Sequence, residues 1–367
     1  MLIMGRLSIM KLALQKGCHM NMKIGRAVFL LFCVCLVTAL QFSCARKGPV
    51  KVDSGHQIVM GTFARVVVIA KHQDAGRKCI RAALEEIHKV DELMSDYKSD
   101  SDIGRVNKKA AEGPVPVSES TFEVLARSIA FSKLTDGAFD ITVGPLMDLF
   151  REAEKGATAP TQEQIAQVKS KVGFEKLKLV SQNRTVQFAV EGMRLDLGGI
   201  AKGYAIDKAI EAAQDAGALG GMVDIGGDIR CFGSPPEGRE HWLIAVQDPN
   251  ATVPETTGDG LLMKLKITDA AVATSGDYQQ FVMIEGTRHS HIMNRRTGTS
   301  AEGLSSVTII AASATDADAL ATSVSVLGAE KGFALIEKLP GTGAILITSG
   351  PEYEVTKTSG AEKYVKE

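Results

Sequence analysis

The segment at residues 312–328, ASATDADALATSVSVLG, constrains the fold of this chain more than any other. Leu320, Val324 and Leu327 recur at the i, i+4, i+7 spacing that predicts an α-helix with an apolar stripe. The opposite side carries mostly small or apolar side chains, so it offers solvent little polar surface. A helix that is apolar or small on all sides must be enclosed by other elements. We therefore expect packed layers with this helix inside them.

Two polar side chains interrupt this predicted buried helix. Asp318 and Thr322 stand one turn apart and therefore lie on the same side. A buried carboxylate is unfavourable unless a cation or hydrogen-bond donors compensate it. A carboxylate and a hydroxyl are hard oxygen ligands of the kind that Mg²⁺ combines with water and phosphate oxygens. The alternative is that Thr315 and Asp318 form a variant capping box at the helix start, which leaves Thr322 unexplained.

Composition and pattern together indicate the fold class. The 367 residues are 45% hydrophobic and carry a formal net charge of −1, which suits one large domain or two closely packed ones. Neither the charge balance nor any basic run indicates a nucleic-acid partner. Strand-like runs outnumber helical ones in the second half of the chain, so we predict an α/β class with mixed α+β layers. In this architecture, helices pack on mixed sheets.

The first 43 residues predict an export signal. Two basic residues precede an apolar core at 27–40, which is too short to span a membrane comfortably. We therefore expect a signal peptide at 1–43, with a possible translation start at Met20 or Met22.

Cys44 lies where a bacterial lipoprotein would carry its lipidated cysteine, with plain secretion or a retained anchor as the alternatives. The polar residues 44–55 predict a lipidated tether, and residues 351–367 predict a charged C-terminal tail. After loss of the leader, the chain keeps Cys44, Cys79 and Cys231 and has no C-x-x-C pair for zinc or redox chemistry.

The motif DLGGIAKG at 196–203 predicts a tight turn that leads into a helix. Gly198 and Gly199 allow the backbone to approach a ligand closely, and the N–H groups of the following helix form a potential phosphate site. Lys202 in the first helical turn opposes the helix dipole unless an anion lies nearby. The alternative is an ordinary strand-turn-helix corner with a solvated lysine.

Two further motifs are less informative. In VDIGGDIR at 223–230, Asp228 is more simply explained as a turn former than as a ligand-binding residue. In RHSHIMNRRTG, His289 and His291 would share one face of a strand. No third nitrogen or sulfur ligand accompanies them, so a phosphate contact or a general base is favoured over zinc, with a core histidine as the alternative.

Taken in order, seven motifs resemble those of the ApbE family, the bacterial FAD:protein FMN transferases. The resemblance runs from about residue 56 to 350. The motifs are MGT at 60–62, DGAFDITVGPL at 136–146, DLGGIAKGYAID at 196–207, DIGGDI at 224–229, TSGDY at 274–278, HIMNRRTG at 291–298 and ATDADALATSVSVLG at 314–328. The resemblance implies a single large ApbE-like flavin transferase domain at 56–350, in which mixed sheets are flanked by helices.

The resemblance also implies roles for particular residues. The positions that match the family's FAD contacts are Met60, Tyr97, Ala138, Phe139, Asp140, Asp196, Lys202 and Ile292. Asp318 and Thr322 match its Mg²⁺ ligands, together with the backbone carbonyl of Gly199. Asp318 and His291 are the candidate catalytic residues, His291 for proton removal or phosphate contact. The family usually has proline where this chain has Arg295, which alters a turn near the flavin.

The implied reaction is Mg²⁺-dependent transfer of FMN from FAD to a Thr or Ser hydroxyl of an acceptor protein, with release of AMP. Family acceptors are flavoprotein subunits of exported electron-transport or Na⁺-translocating complexes. We accordingly expect an exported lipoprotein, anchored in the membrane and facing the periplasm. The alternatives are a Mg²⁺-dependent FAD pyrophosphatase that yields FMN and AMP, and a non-catalytic FAD-binding lipoprotein.

Overall fold

The computed structural model describes residues 48–235, 238–251, 260–277, 281–350 and 352–366. The predicted signal peptide and Cys44 lie outside these residues. None of the helices in the described part of the chain is both long enough and apolar enough to cross a membrane.

The described elements alternate irregularly between strand and helix. The strands are β1 (Val50–Val59), β2 (Thr62–Ala70), β3 (Val115–Pro116), β4 (Leu177–Val180), β5 (Thr185–Phe188), β6 (Gly220–Ile225), β7 (Asp228–Phe232), β8 (Trp242–Gln247), β9 (Leu261–Ile267), β10 (Ala271–Gly276), β11 (Phe281–Ile284), β12 (Thr287–Ser290), β13 (Met293–Asn294), β14 (Thr299–Ser300), β15 (Leu304–Ala311), β16 (Gly343–Thr348) and β17 (Val355–Lys357). The helices are α1 (Gln73–Met94), α2 (Asp102–Lys109), α3 (Glu119–Leu134), α4 (Gly144–Gly156), α5 (Gln162–Lys169), α6 (Ala201–Asp215), α7 (Ala314–Leu327), α8 (Ala329–Ile336) and α9 (Ser359–Glu362).

An eight-stranded sheet organises the molecule, with the strand order β1-β2-β6-β7-β10-β15-β16-β17. The paired strands of this sheet run antiparallel. Smaller sheets form from β3-β5-β4, β8-β9, β11-β12 and β13-β14. The mixed α/β architecture predicted from the sequence is confirmed. Hairpins join three neighbouring pairs of this sheet, β1-β2, β6-β7 and β16-β17, and longer connections join the other four pairs.

The two faces of the sheet are covered differently. Alternate side chains of β2, including Val66 and Val68, point into the main core, where α1, α6 and α7 pack. The intervening Val67 and Ile69 point to the other face, which the β8-β9 hairpin covers with Trp242. Helix α7 packs against α6 and against strands β10 and β15. The helix predicted to be enclosed is therefore enclosed, between α6 and the central sheet.

Two predicted boundaries need correction. Residues 50–55 belong to β1 and not to a tether, since Val52 is buried and Asp53 pairs with Arg65 of β2 at 2.6 Å. Part of the predicted C-terminal tail is also structured. Ala361 of α9 is fully buried, and the amide of Lys366 donates to the β9 backbone. The ordered sheet therefore extends beyond the span of the recognised motifs at both ends.

Candidate active site

A cleft of about 430 Å³ opens where the β1-β2 turn, the end of α1, the loop before α4, the start of α6 and the middle of α7 converge. It brings together every predicted site residue that the structure describes. These residues are Met60, Tyr97, Ala138, Phe139, Asp140, Asp196, Gly199, Lys202, His291, Ile292, Asp318 and Thr322. A more open groove of about 630 Å³ between β1 and α1 contains none of them. The smaller cleft is therefore the candidate active site.

Two oxygen-bearing side chains of α7 and the backbone of one glycine lie together in the wall of this cleft that α7 forms. Asp318 and Thr322 are one turn apart on α7, and both line the cleft. The backbone of Gly199 lies so close to Thr322 that a Cβ atom there would be 2.8 Å from the Thr322 hydroxyl. A carboxylate, a hydroxyl and a carbonyl are the hard oxygen ligands that suit Mg²⁺. Among the described residues no cluster of three or more His, Cys, Asp or Glu side chains could hold a metal, so Asp318 would bind one together with the hydroxyl and the carbonyl.

The carboxyl group of Asp318 is poorly compensated by the protein. It is buried, and its Oδ2 accepts a hydrogen bond from the Gly203 amide at 3.0 Å. Burial raises the pKa of Asp318 to about 7, against the attraction of Lys202 and with the repulsion of Asp228. A divalent cation beside this carboxylate would favour its charged form. The chemistry of these oxygen ligands and their common place in the cleft therefore fit Mg²⁺.

The capping interpretation of Asp318 is wrong. Ser313 caps α7, because its hydroxyl accepts from the Asp316 amide at 3.1 Å. Thr315 instead donates its hydroxyl to Asp207 of α6 at 2.6 Å. The cap lies two residues before the predicted position, which leaves Asp318 beyond the first turn and directed into the cleft.

Helix α7 is held against α6 by hydrogen bonds to Asp207, a residue that was not predicted from the sequence. Asp207 accepts from the amides of Ala314 at 2.8 Å and Thr315 at 2.9 Å, and it pairs with Arg230 at 2.7 Å. A side chain at Gly203 would overlap the Ala314 carbonyl, so the two helices can approach this closely only with glycine there. The sequence signal for Asp207 was a carboxylate on the side of α6 that also carries the buried Ile206 and Ile210.

Lys202 is ion-paired and only partly exposed. Its ammonium contacts the carboxylate of Asp228, which is almost completely buried and also accepts from the Thr274 amide at 3.1 Å. Burial alone would lower the pKa of Lys202, but the carboxylates of Asp228 and Asp318 outweigh it and raise that pKa. The expected anion near Lys202 is thus a protein carboxylate. The simple turn-former explanation of Asp228 is therefore wrong.

Asp140 lies in another wall of the cleft, and its carboxylate is hydrogen-bonded more completely than that of Asp318. Its Oδ1 accepts from the amide and hydroxyl of Thr142 at 2.8 and 2.7 Å. Its Oδ2 accepts from the Phe174 amide and from Arg295, both at 3.0 Å. Burial raises the pKa of Asp140 even though these donors oppose the shift. Four donors occupy the four lone-pair positions of this carboxylate, so it shapes the wall and has no free acceptor for a ligand.

The opposite rim is more accessible. The side chain of Tyr97 is 81% exposed, and its hydroxyl lies 3.4 Å from an Arg151 nitrogen. Asp196 lies deeper, where its carboxylate accepts from the Gly198 amide at 2.8 Å. Burial and the nearby Asp96 raise the pKa of Asp196. The cleft thus combines an exposed aromatic rim with a polar floor.

The two histidines separate in the structure. Strand β12 ends at Ser290, so His291 lies beyond it and lines the cleft. His289 stays in the strand, with its ring 5.4 Å from that of Phe150. The two therefore do not share a strand face, because the chain turns after Ser290. Only His291 of this pair is placed for chemistry in the cleft.

Comparison with known proteins gives a consistent result. The model of the ApbE family matches residues 60–346. A FAD:protein FMN transferase of Treponema pallidum is 32% identical over 344 residues, covering 89% of this chain and 92% of that protein. One from Escherichia coli K12 is 32% identical over 294 residues, covering 79% of this chain and 82% of that protein.

Solved structures resemble the fold as a whole. The ApbE protein of Thermotoga maritima superposes with a TM-score of 0.75 at 31% identity, covering 87% of this chain and all of that chain. The flavin transferase ApbE from Vibrio cholerae superposes with a TM-score of 0.73 at 29% identity, covering 86% of this chain and 99% of that one.

Proposed function

This chain belongs to the ApbE family, and from that premise we propose that it is an FAD:protein FMN transferase. It moves FMN from FAD to a Thr or Ser hydroxyl of an acceptor protein, releases AMP and uses Mg²⁺. The observation that carries the proposal is the joint placement of Gly199, Asp318 and Thr322 beside Lys202 in one cleft. Oxygen ligands for Mg²⁺ and the ammonium group of Lys202, placed side by side, suit the negative charge of a pyrophosphate.

Each side of the cleft has a distinct task in this proposal. Helix α6 begins at Ala201 without a side-chain cap, and Ala201 and Lys202 line the cleft, so the positive end of the helix dipole lies beside it. Lys202, oriented by Asp228, supplies positive charge for the flavin-nucleotide phosphates. Tyr97 and Met60 at the rim, with Ala138 and Phe139 on the wall, provide apolar surface for the flavin. The ligand therefore lies with its pyrophosphate towards α7.

The reaction exchanges the phosphoanhydride bond of FAD for a phosphoester bond to the acceptor. The acceptor oxygen bonds to the phosphorus on the FMN side, and the bond from that phosphorus to the bridging oxygen breaks, so AMP leaves with that oxygen. Asp318, Thr322 and the Gly199 carbonyl would hold Mg²⁺, which supplies charge compensation to the pyrophosphate when bound. His291 lines the cleft and is our candidate to receive the proton of the acceptor hydroxyl.

The first test follows both products. Leaderless protein is incubated with FAD and Mg²⁺, with and without a peptide that carries a Thr acceptor. We expect AMP to appear together with flavin fluorescence on the peptide. AMP with free FMN, whatever peptide is present, would instead identify a pyrophosphatase. FAD binding with neither product would identify a carrier.

Matched variants on one helix sharpen this test. Thr322→Val removes the cleft hydroxyl at nearly constant shape and should raise the Mg²⁺ concentration needed for half-maximal rate. Ser323→Ala removes the next hydroxyl, which donates to the Ala319 carbonyl at 2.6 Å, and should leave the rate within twofold. Equal effects of the two substitutions would contradict the metal assignment.

We also propose that the protein is exported and anchored through lipid on Cys44, facing the periplasm. Its acceptors would then be flavoprotein subunits of exported electron-transport or Na⁺-translocating complexes. The support is the sequence pattern of the leader, which precedes the described residues. Labelling with a radioactive fatty acid should mark the wild-type chain and not Cys44→Ser. A Cys44→Ser chain that remains in the membrane fraction would favour a retained anchor.

A further inference from the structure

Three segments of the chain meet behind the wall of the cleft. They are the loop 136–143 before α4, the turn 173–176 before β4, and the segment 291–297 around β13. Arg295 lies at their junction, with 17% of its side chain exposed, and it does not line the cleft itself. Its position allows it to act on the cleft only through the residues it contacts.

The contacts of Arg295 connect all three segments. One guanidinium nitrogen donates to Asp140 at 3.0 Å and to Glu175 at 2.8 Å. The second donates to the other oxygen of Glu175 at 2.8 Å, which makes that pair bidentate. The guanidinium also lies 4.9 Å from the centre of the Phe174 ring and packs against Gly137. One side chain therefore fastens two loops to the segment that carries His291.

We propose that Arg295 is a positioning residue for the flavin site. This inference rests on the proposed function and adds a residue that acts on the cleft through Asp140. Ala138 and Phe139 precede Asp140 in the same loop and form the wall beside the flavin. Arg295 fixes that wall by holding the carboxylate at the end of it.

Charge balance supports this role. Asp140 and Glu175 approach the same guanidinium, so without Arg295 the buried carboxylate of Asp140 would lie near the half-exposed carboxylate of Glu175 with no cation between them. Burial already raises the pKa of Asp140, and Arg295 is the cation that opposes that shift. Loss of this cation would drive the loop outwards or protonate Asp140, and either change alters the wall.

Arg296 provides a matched control. It is the next residue, has the same chemistry and also pairs with the loop, through Asp136. However, 58% of its side chain and 92% of that of Asp136 are exposed. An exposed pair of this kind contributes little to structure. Substitutions at 295 and 296 therefore separate a buried connection from a surface one.

The first measurement is hydrogen exchange of the ligand-free protein, which needs neither FAD nor turnover. The reporters are the amides of Thr142 and Phe174, which donate to Asp140, and of Gly173, which donates to the Thr142 hydroxyl at 2.7 Å. We expect Arg295→Gln to accelerate their exchange at least tenfold, Arg295→Lys less, and Arg296→Gln less than twofold. Unchanged exchange in Arg295→Gln would overturn the proposal.

The second measurement is FAD affinity, from flavin fluorescence, together with kcat and KM. Arg295→Gln should raise the Kd and KM for FAD at least tenfold while kcat at saturating FAD stays within threefold, with partial rescue by Arg295→Lys. Faster exchange with an unchanged Kd would overturn the positioning role. Wild-type protein that binds no FAD would refute the proposed function, while hydrogen exchange still tests the junction. If Arg295→Gln does not fold, Glu175→Gln loosens the same junction and should shift Kd in the same direction.

Discussion

The cleft has two walls, the loop before α4 and helix α7, and each contains a buried carboxylate with different hydrogen bonding. On the loop before α4, Asp140 accepts four hydrogen bonds, one of them from a guanidinium. On α7, Asp318 is equally buried, but among the described residues the Gly203 amide is its one hydrogen-bond donor. The first carboxylate has no capacity left for a ligand, whereas the second does. Burial alone therefore does not identify a ligand site, but burial with unused acceptors does.

The positions of the neighbouring charges reinforce this contrast. Arg295 donates directly to Asp140. Lys202, the cation near Asp318, instead makes its hydrogen bond to Asp228, so it only partly offsets the cost of burying Asp318. The carboxylate of Asp140 is therefore fully hydrogen-bonded within the protein. The carboxylate of Asp318 on α7 is not, and a bound cation would compensate its charge. Substitutions in the two walls should consequently have different effects on catalysis.

Asp318→Asn is expected to have the largest effect. It removes the one charged ligand of the proposed metal while keeping the shape of the side chain. Transfer should fall by about 10³-fold, equivalent to about 4 kcal/mol of lost transition-state stabilisation. FAD affinity should change far less. The measurement is the rate of AMP release and peptide labelling at saturating FAD.

The stability of Asp318→Asn provides the control for this loss. An amide does not carry the penalty of a poorly compensated charge, so the free energy of unfolding at pH 8 without metal should be unchanged or higher. If Asp318→Asn lost activity because it unfolded, Asp318 would be needed for stability, as Asp140 is, and the proposed difference between the two carboxylates would be wrong. Activity retained within tenfold would remove Asp318 from the mechanism.

Gly203→Ala tests whether the position of α7 matters as much as its side chains. The new Cβ would overlap the Ala314 carbonyl and lie 2.9 Å from the Asp318 Cβ, so α6 and α7 must separate. We expect a loss of about 3 kcal/mol in the free energy of unfolding, from overpacking of two backbones. Urea denaturation provides the measurement. Gly113→Ala, where nothing lies within 4 Å of the new methyl group, should change this energy by less than 1 kcal/mol.

Asp140→Asn addresses the other wall. An amide nitrogen at either position would face two hydrogen-bond donors, so the variant loses two of the four bonds and should be destabilised by about 2 kcal/mol. The KM for FAD should rise about tenfold, with kcat at saturating FAD changed less than threefold. Steady-state kinetics over a range of FAD concentrations measures the two constants separately. A large loss of kcat with unchanged KM would contradict the assignment of FAD binding to the Asp140 wall and of catalysis to the Asp318 wall.

The sequence predicted those parts of the site that depend on local spacing. Asp318 and Thr322 are four residues apart on one helix, so their shared side follows from helical geometry alone. The double-glycine turn before α6 is similarly local. These features, with the ordered motifs, were sufficient to gather the described site residues into one cleft.

The remaining contacts join residues far apart in the chain. Asp228 meets Lys202 across 26 residues, and Arg295 meets Asp140 across 155. No periodicity encodes such pairs, because they depend on how the strands and helices pack. The error in the position of the α7 cap has a related cause. The Thr315 hydroxyl could have capped its own helix, but it donates instead to the carboxylate of Asp207 on α6.

The smallest expected effect is a pH dependence that belongs to one wall only. Because the pKa of Asp318 is raised to about 7 in the folded state, the folded protein binds more protons than the unfolded chain between about pH 4 and 7. Stability from this group is therefore fully present at low pH and is lost as the pH rises through 7. In metal-free protein, wild type should lose about 1 kcal/mol more than Asp318→Asn between pH 6 and 8. Urea denaturation at the two pH values measures this difference, and adding Mg²⁺ should stabilise the wild type preferentially at pH 8. Equal pH slopes for the two proteins would mean that Asp318 is already compensated within the protein, as Asp140 is, and the contrast between the two walls would fail.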